Sequence, residues 1–152
     1  MKIILGWVVG LFVALQTALG AVEVSAVPFE LGPQHFSDGN QIVIDRVLSS
    51  SPKLTVGDKV TVRGRYILNS TARAQLCLYL ATTTAIGAEP VLPTQKMDIG
   101  KGSGSFELTE VVKHPGHLHL SFYPVPAGRR LGTVYFGTPQ QMSEISSLKL
   151  AD

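Results

Sequence analysis

HLHLSFYPV, residues 117–125, sets Leu118, Leu120 and Phe122 against His117, His119, Ser121 and Tyr123 in strict alternation. Successive side chains of an extended strand point to opposite faces, so a period of two marks a strand with one face buried. Just upstream, His114-Pro115-Gly116-His117 puts Pro and Gly at the two central positions of a turn. That pair predicts a type II turn, because Pro fixes its own backbone angle and Gly tolerates a positive one. Downstream, the loop PAGRR leads into a last strand, LGTVYFG.

The same period recurs along the chain. Ile42 and Ile44 open a strand that runs through Val47 into SSSP, residues 49–52. In KVTVRGRYIL, residues 59–68, Val60, Val62, Tyr66 and Leu68 share one face and Thr61, Arg63 and Arg65 the other, with Gly64 marking a bulge or a close approach. After NSTAR, read as a loop, AQLCLYLAT sets Leu76, Leu78 and Leu80 against Gln75, Cys77 and Tyr79. An Ala-, Gly- and Pro-rich crossing from Thr84 to Pro93 leads to a weak strand at 95–99; GKGSG, residues 100–104, reads as a turn before SFELTEVV. About seven strands at short intervals predict an all-β domain, an antiparallel β-sandwich.

The piece FELTEVVKHPGHLHLSFYP, residues 106–124, resembles the turn and following strand of immunoglobulin-like and fibronectin-III-like modules of secreted proteins. The resemblance implies an immunoglobulin-like sandwich and names no specific family. The sequence departs from antibody domains in having one cysteine, Cys77, and one tryptophan, Trp7, which lies in the N-terminal leader.

That leader, MKIILGWVVGLFVALQTALG, has a single cation at Lys2, an apolar run, and small residues at Ala18 and Gly20. It reads as a secretory signal peptide cleaved after Gly20, with cleavage after Ala26 as the second option. The apolar run is short for a membrane span, which takes about 20 residues. Removing it leaves roughly 130 residues, one domain's worth. The expected organisation is a signal at 1–20, an edge strand or wrapping segment at 21–41, the sandwich at 42–138, and a tail at 139–152. In that tail Thr138, Pro139 and Gln141 spell a capping box with proline in the first turn, and Met142, Ile145 and Leu148 would line one helix face. A strand through 147–150 is the competing reading.

With 13 basic and 11 acidic residues the chain lacks the clustered cations that nucleic acid or an anionic membrane demands. A lone cysteine permits no internal disulfide. Asn69-Ser70-Thr71 is a glycosylation sequon, meaningful in a host that glycosylates its exports. No phosphate loop, dinucleotide fingerprint or nucleophile elbow is present, so the sequence predicts no enzyme and no cofactor.

Two constellations remain. On the outward face of the central strands, Tyr79, His117, His119, Tyr123 and Tyr135 would stand among Gln75, Ser121 and Thr133, an aromatic and polar surface suited to a protein or a glycan. The competing arrangement has the N-terminal segment or the tail folded over that face. Alternatively, His117 and His119 grip a zinc or copper ion as an HxH pair, joined by Cys77 if its strand is a neighbour, and by His114 across the turn. The sequence reading is therefore an exported, periplasmic or secreted, non-catalytic binding or structural module, with an extracytoplasmic metal-binding protein as the alternative.

Overall fold

Residues 22–82 and 90–147 are described by the computed structural model of the chain. The signal segment 1–20, the strand reading of 147–150 and most of the 84–93 crossing lie outside the described residues, apart from the helical Ser147. Among the described residues the fold is all-β apart from one short α-helix and one 3-10 turn, Pro93–Gln95. The strands are β1 (Ser25–Val27), β2 (Glu30–Phe36), β3 (Gln41–Ser49), β4 (Lys59–Thr82), β5 (Lys96–Val111), β6 (Gly116–Pro124) and β7 (Gly132–Gly137), followed by α1 (Pro139–Ser147). All pair antiparallel in a single sheet, in the order β1-β3-β4-β6-β7-β2, with β5 against β4.

β4 is 24 residues long because it serves both halves of the sheet. Its first part, 59–68, lies between β3 and the end of β5; its second, 73–82, lies between β6 and the start of β5. Between them Asn69–Ala72 have no ladder partners, and Lys101 alone stands opposite on β5. NSTAR is therefore a bulge inside one strand, at which the sheet bends. Asn40 fixes that corner: its Oδ1 accepts from the backbone N–H of Asn69 at 2.9 Å and of Ser70 at 3.2 Å, and its Nδ2 donates to Ser70 Oγ at 2.8 Å. GKGSG is likewise not a turn but the middle of β5, where Gly102 has φ +113° and pairs with Leu68.

The curl is tight. Only Pro28 and Phe29 separate β1 from β2, yet these strands occupy opposite ends of the sheet order. Three residue steps span at most about 11 Å, so the two ends of the sheet must lie side by side. On either side of the bulge the even-numbered side chains of β4 point inward: Val60, Val62, Leu68, Leu76 and Leu78 are fully buried, as are Leu120, Phe122 and Phe136 from β6 and β7. Gly64 packs where both readings of it hold. A Cβ there would stand 2.1 Å from Val43 O and 2.7 Å from the Phe106 ring, and β3 bulges opposite it at Asp45.

The type II turn before β6 is not formed. Gly116 is not in the left-handed region; it pairs with Thr82 as the first residue of β6. What position 116 requires is the absence of a side chain, since a Cβ would approach Ala81 O to 2.3 Å. The tail is helical and capped as its sequence predicts. Thr138 N–H donates to Gln141 Oε1 at 2.9 Å and Gln141 N–H to Thr138 Oγ1 at 3.3 Å. Among the described residues no helix is long and apolar enough to cross a membrane.

Candidate functional site

The outward face of the second half of the sheet is built by direct cross-strand pairing. Tyr79 of β4 stands opposite His119 of β6, which stands opposite Tyr135 of β7; one pair along, Cys77 faces Ser121 and Ser121 faces Thr133. The rings meet: Tyr79 and His119 centroids are 5.8 Å apart, His119 and Tyr135 4.9 Å, and Tyr79 and Tyr123 5.9 Å in an edge-to-face contact. Alternation thus brings together four of the five predicted face residues, while His117 stands at the end of the row beside α1.

The expectation that all five are exposed is corrected. His117 and His119 are each 7 % exposed and Tyr135 9 %, and only Tyr79 and Tyr123 stay half-buried. α1 covers two of them: Met142 and Ile145 pack on Tyr135 and Ala81 in a second small core outside the sheet, and Glu144 faces His117, while His119 lies between the Tyr79 and Tyr135 rings. The tail therefore covers one end of the face and leaves the other open.

Beneath the rings runs a polar chain. Thr133 Oγ1 donates to Leu120 O at 3.1 Å and Ser121 Oγ donates to Thr133 Oγ1 at 2.8 Å, which leaves Ser121 to accept from His119 Nδ1 at 3.0 Å. That direction assigns the proton of the imidazole to Nδ1. Burial drives the His119 pKa down to about 4, and the positive charge of Arg130 pushes the same way. His119 is therefore neutral above mildly acid pH, and Ser121, wholly buried with its proton engaged, is a structural tie rather than a nucleophile. Burial also raises the Tyr79 and Tyr135 phenols and the Cys77 thiol. Cys77 is fully buried, its Sγ 3.7 Å from Gln75 Oε1 as a thiol donor, so it is neither a ready nucleophile nor a ready ligand.

The proposed metal ligands are not assembled. His117 and His119 share a face as an HxH pair must, but Cys77 lies opposite Ser121 rather than either histidine, and His114 sits in the bend before β6. Among the described residues no three His, Cys, Asp or Glu side chains come close enough to hold an ion. His117 Nε2 instead faces Glu144 Oε2 of α1 at 4.0 Å.

Two hollows flank the rings. A cavity of about 210 Å³ is lined by Tyr79, Leu92, Gln95, Glu110, Lys113 and His114. His114 also walls an open groove of about 1090 Å³ between the 52–56 loop, the start of β6 and the start of α1, with Lys53, Val56, His117, Gln140 and Glu144 along it. The 52–56 loop is held by Asp58, which accepts from Ser51 Oγ at 2.7 Å, Thr55 N–H at 2.8 Å and Ser50 Oγ at 3.0 Å. Despite desolvation, which acts to raise it, these bonds together keep the Asp58 carboxyl below its ordinary range.

Sequence reasoning did not find the cations of the open end. Arg73 was legible, since it continues the Gln75, Cys77, Tyr79 alternation. Lys96 joins the face only through the β4–β5 register, opposite Cys77, and Arg130 through the fold of the 125–131 loop. No known protein family, curated relative or solved structure matches this chain.

Proposed function

We propose that the chain is an exported, non-catalytic binding module with an immunoglobulin-like β-sandwich, and that it meets its partner on the outward face of the second half of the sheet. The sandwich reading is supported by the way β3 and β7, which are not neighbours in the sheet, meet across a shared core. One observation carries the functional reading: Tyr79 and Tyr123, in edge-to-face contact, stay half-buried on a face whose other rings are covered. Rigid rings beside small polar groups present contact area at low entropic cost, which is what recognition surfaces use. Their apolar faces and hydroxyls suit a glycan or a protein.

The test is a screen of the mature protein against immobilised glycans and displayed peptides, repeated with a Tyr79→Ala/Tyr123→Ala variant. A ligand held by the native protein and lost by the variant, with far-UV circular dichroism unchanged, supports the reading. Equal retention by both moves the site elsewhere. Export is checked separately, by finding the protein outside the cytoplasm with residues 1–20 removed.

A further inference from the structure

We propose that the ligand of this face is an acidic polysaccharide, its sugar rings stacked on Tyr79 and Tyr123 and its carboxylate or sulfate groups held by Arg73, Lys96 and Arg130. The inference rests on reading this face as a binding surface, and adds the chemical class of what binds.

Each half of the sheet carries cations without an ion pair to a described residue, Arg46 and Lys59 on the first half among them. On the first half, Arg63 pairs with Glu107, and Arg65 pairs with Asp45 through two hydrogen bonds of 3.0 and 2.8 Å. On the second half, Arg73, Lys96 and Arg130 form no ion pair with any described residue. Asp98, the carboxylate sharing this face, is hydrogen-bonded to Gln75 Nε2 at 3.1 Å instead. Glu144 stands at the opposite, covered end against His117. Arg73, Lys96 and Arg130 thus outnumber Asp98 at the open end, beside the rings.

The spacing is regular. Arg73, Gln75, Cys77 and Tyr79 follow one another along β4, with Lys96 and Ser121 flanking Cys77 and Asp98 and Tyr123 flanking Gln75. Six residues of strand make a track of about 20 Å from Arg73 to Tyr79, in whose middle Cys77 and Ser121 are wholly buried. Arg130 comes in from the 125–131 loop, where the next residue, Leu131, donates its N–H to Phe122 O at 3.0 Å, and its charge reaches His119 and Tyr135. A neutral, buried His119 beneath the track adds no charge of its own, and guanidinium groups match carboxylate or sulfate by paired hydrogen bonds.

A sugar chain fits this face better than an acidic peptide does. Peptides gain affinity by adding a strand to a free edge or laying a helix in a groove. From Ala74 to Cys77 β4 is hydrogen-bonded to both β5 and β6, and from Leu118 to Phe122 β6 is hydrogen-bonded to both β4 and β7, so the middle of the face offers no backbone pairing. Single-stranded nucleic acid also stacks on aromatic residues beside cations. The proposed export argues against it.

Affinity gel electrophoresis of residues 21–152 decides the matter, with polygalacturonate, neutral dextran, polyglutamate or a deoxythymidine oligonucleotide in the gel. Retardation by polygalacturonate, weakened about tenfold or more in Arg73→Gln/Arg130→Gln, is expected from losing charge-assisted hydrogen bonds. Tyr79→Ala should weaken it as well, and Arg63→Gln/Arg65→Gln on the first half should not. Equal loss from both arginine pairs, or polyglutamate or the oligonucleotide held as tightly as polygalacturonate, overturns the proposal. Retardation by dextran alone overturns the acidic class while the binding face stands. No retardation by any probe overturns the proposal, and the glycan and peptide screen then judges the face independently.

Discussion

Replacing His119 by Asn tests the interior of the ring cluster and its proton assignment together. The imidazole is neutral in the folded protein with a pKa of about 4, against 6.5 for an ordinary histidine. Between those values the unfolded chain takes up a proton that the folded chain refuses. Stability from this site is therefore complete above pH 6.5 and is lost as the pH falls towards 4. At 1.36 kcal/mol per pH unit the loss is roughly 3 kcal/mol. His119→Asn does not titrate, and its amide can still donate to Ser121. Urea unfolding at intervals from pH 7.5 to 4 should show the native protein losing about 3 kcal/mol more than the variant, a relative midpoint shift of roughly 1–3 M. Both proteins share the carboxylates, Asp58 included, so the difference between the curves isolates the imidazole. Parallel curves would refute the burial of a neutral His119.

Leu120→Ala, at a side chain with no exposed surface, should lower stability by about 2–5 kcal/mol in chemical denaturation. Thr138→Ala removes one side of the capping box and should cost about 1 kcal/mol, with faster amide exchange confined to α1. Zinc or copper titrated into the protein should bind weakly, with calorimetry unchanged in His117→Ala/His119→Ala, because no third ligand joins the pair. Intact-mass measurement of the exported protein should give a chain starting at Ala21.

The alternation at 59–68, 74–80 and 117–123 carried the inward faces correctly, since burial on one side leaves the strongest mark a strand can leave in sequence. What misled were residues with two uses. Glycines and serines at 100–104 signal a turn when read alone, yet β4 runs alongside and supplies ladder partners that keep the chain extended. Gly116 likewise looks like a turn residue and is a contact residue, its role set by Ala81 on another strand. The rings of the site were legible because they share one period on adjacent strands. Their cover was not, because Met142 and Ile145 say only that α1 has an apolar face and not where it docks. The cations at the open end come from three elements whose register no local pattern specifies.

Pro28 and Phe29 are the covalent link between the sheet's two ends, and this gives the N-terminal residues the role of a clasp. Glu30 waits for Gly137, more than a hundred residues later, before its strand has a neighbour, whereas β1 needs only β3. A chain assembling from its N-terminus can thus complete every other ladder before β2 is seated on β7, and until then β7 presents an open edge. Non-local pairing of this kind is slow, and an open edge invites another strand. A cut between Val27 and Glu30 would leave every ladder hydrogen bond in place but remove the covalent tie across the seam, so that the two ends of the curled sheet are held there by the shared core alone.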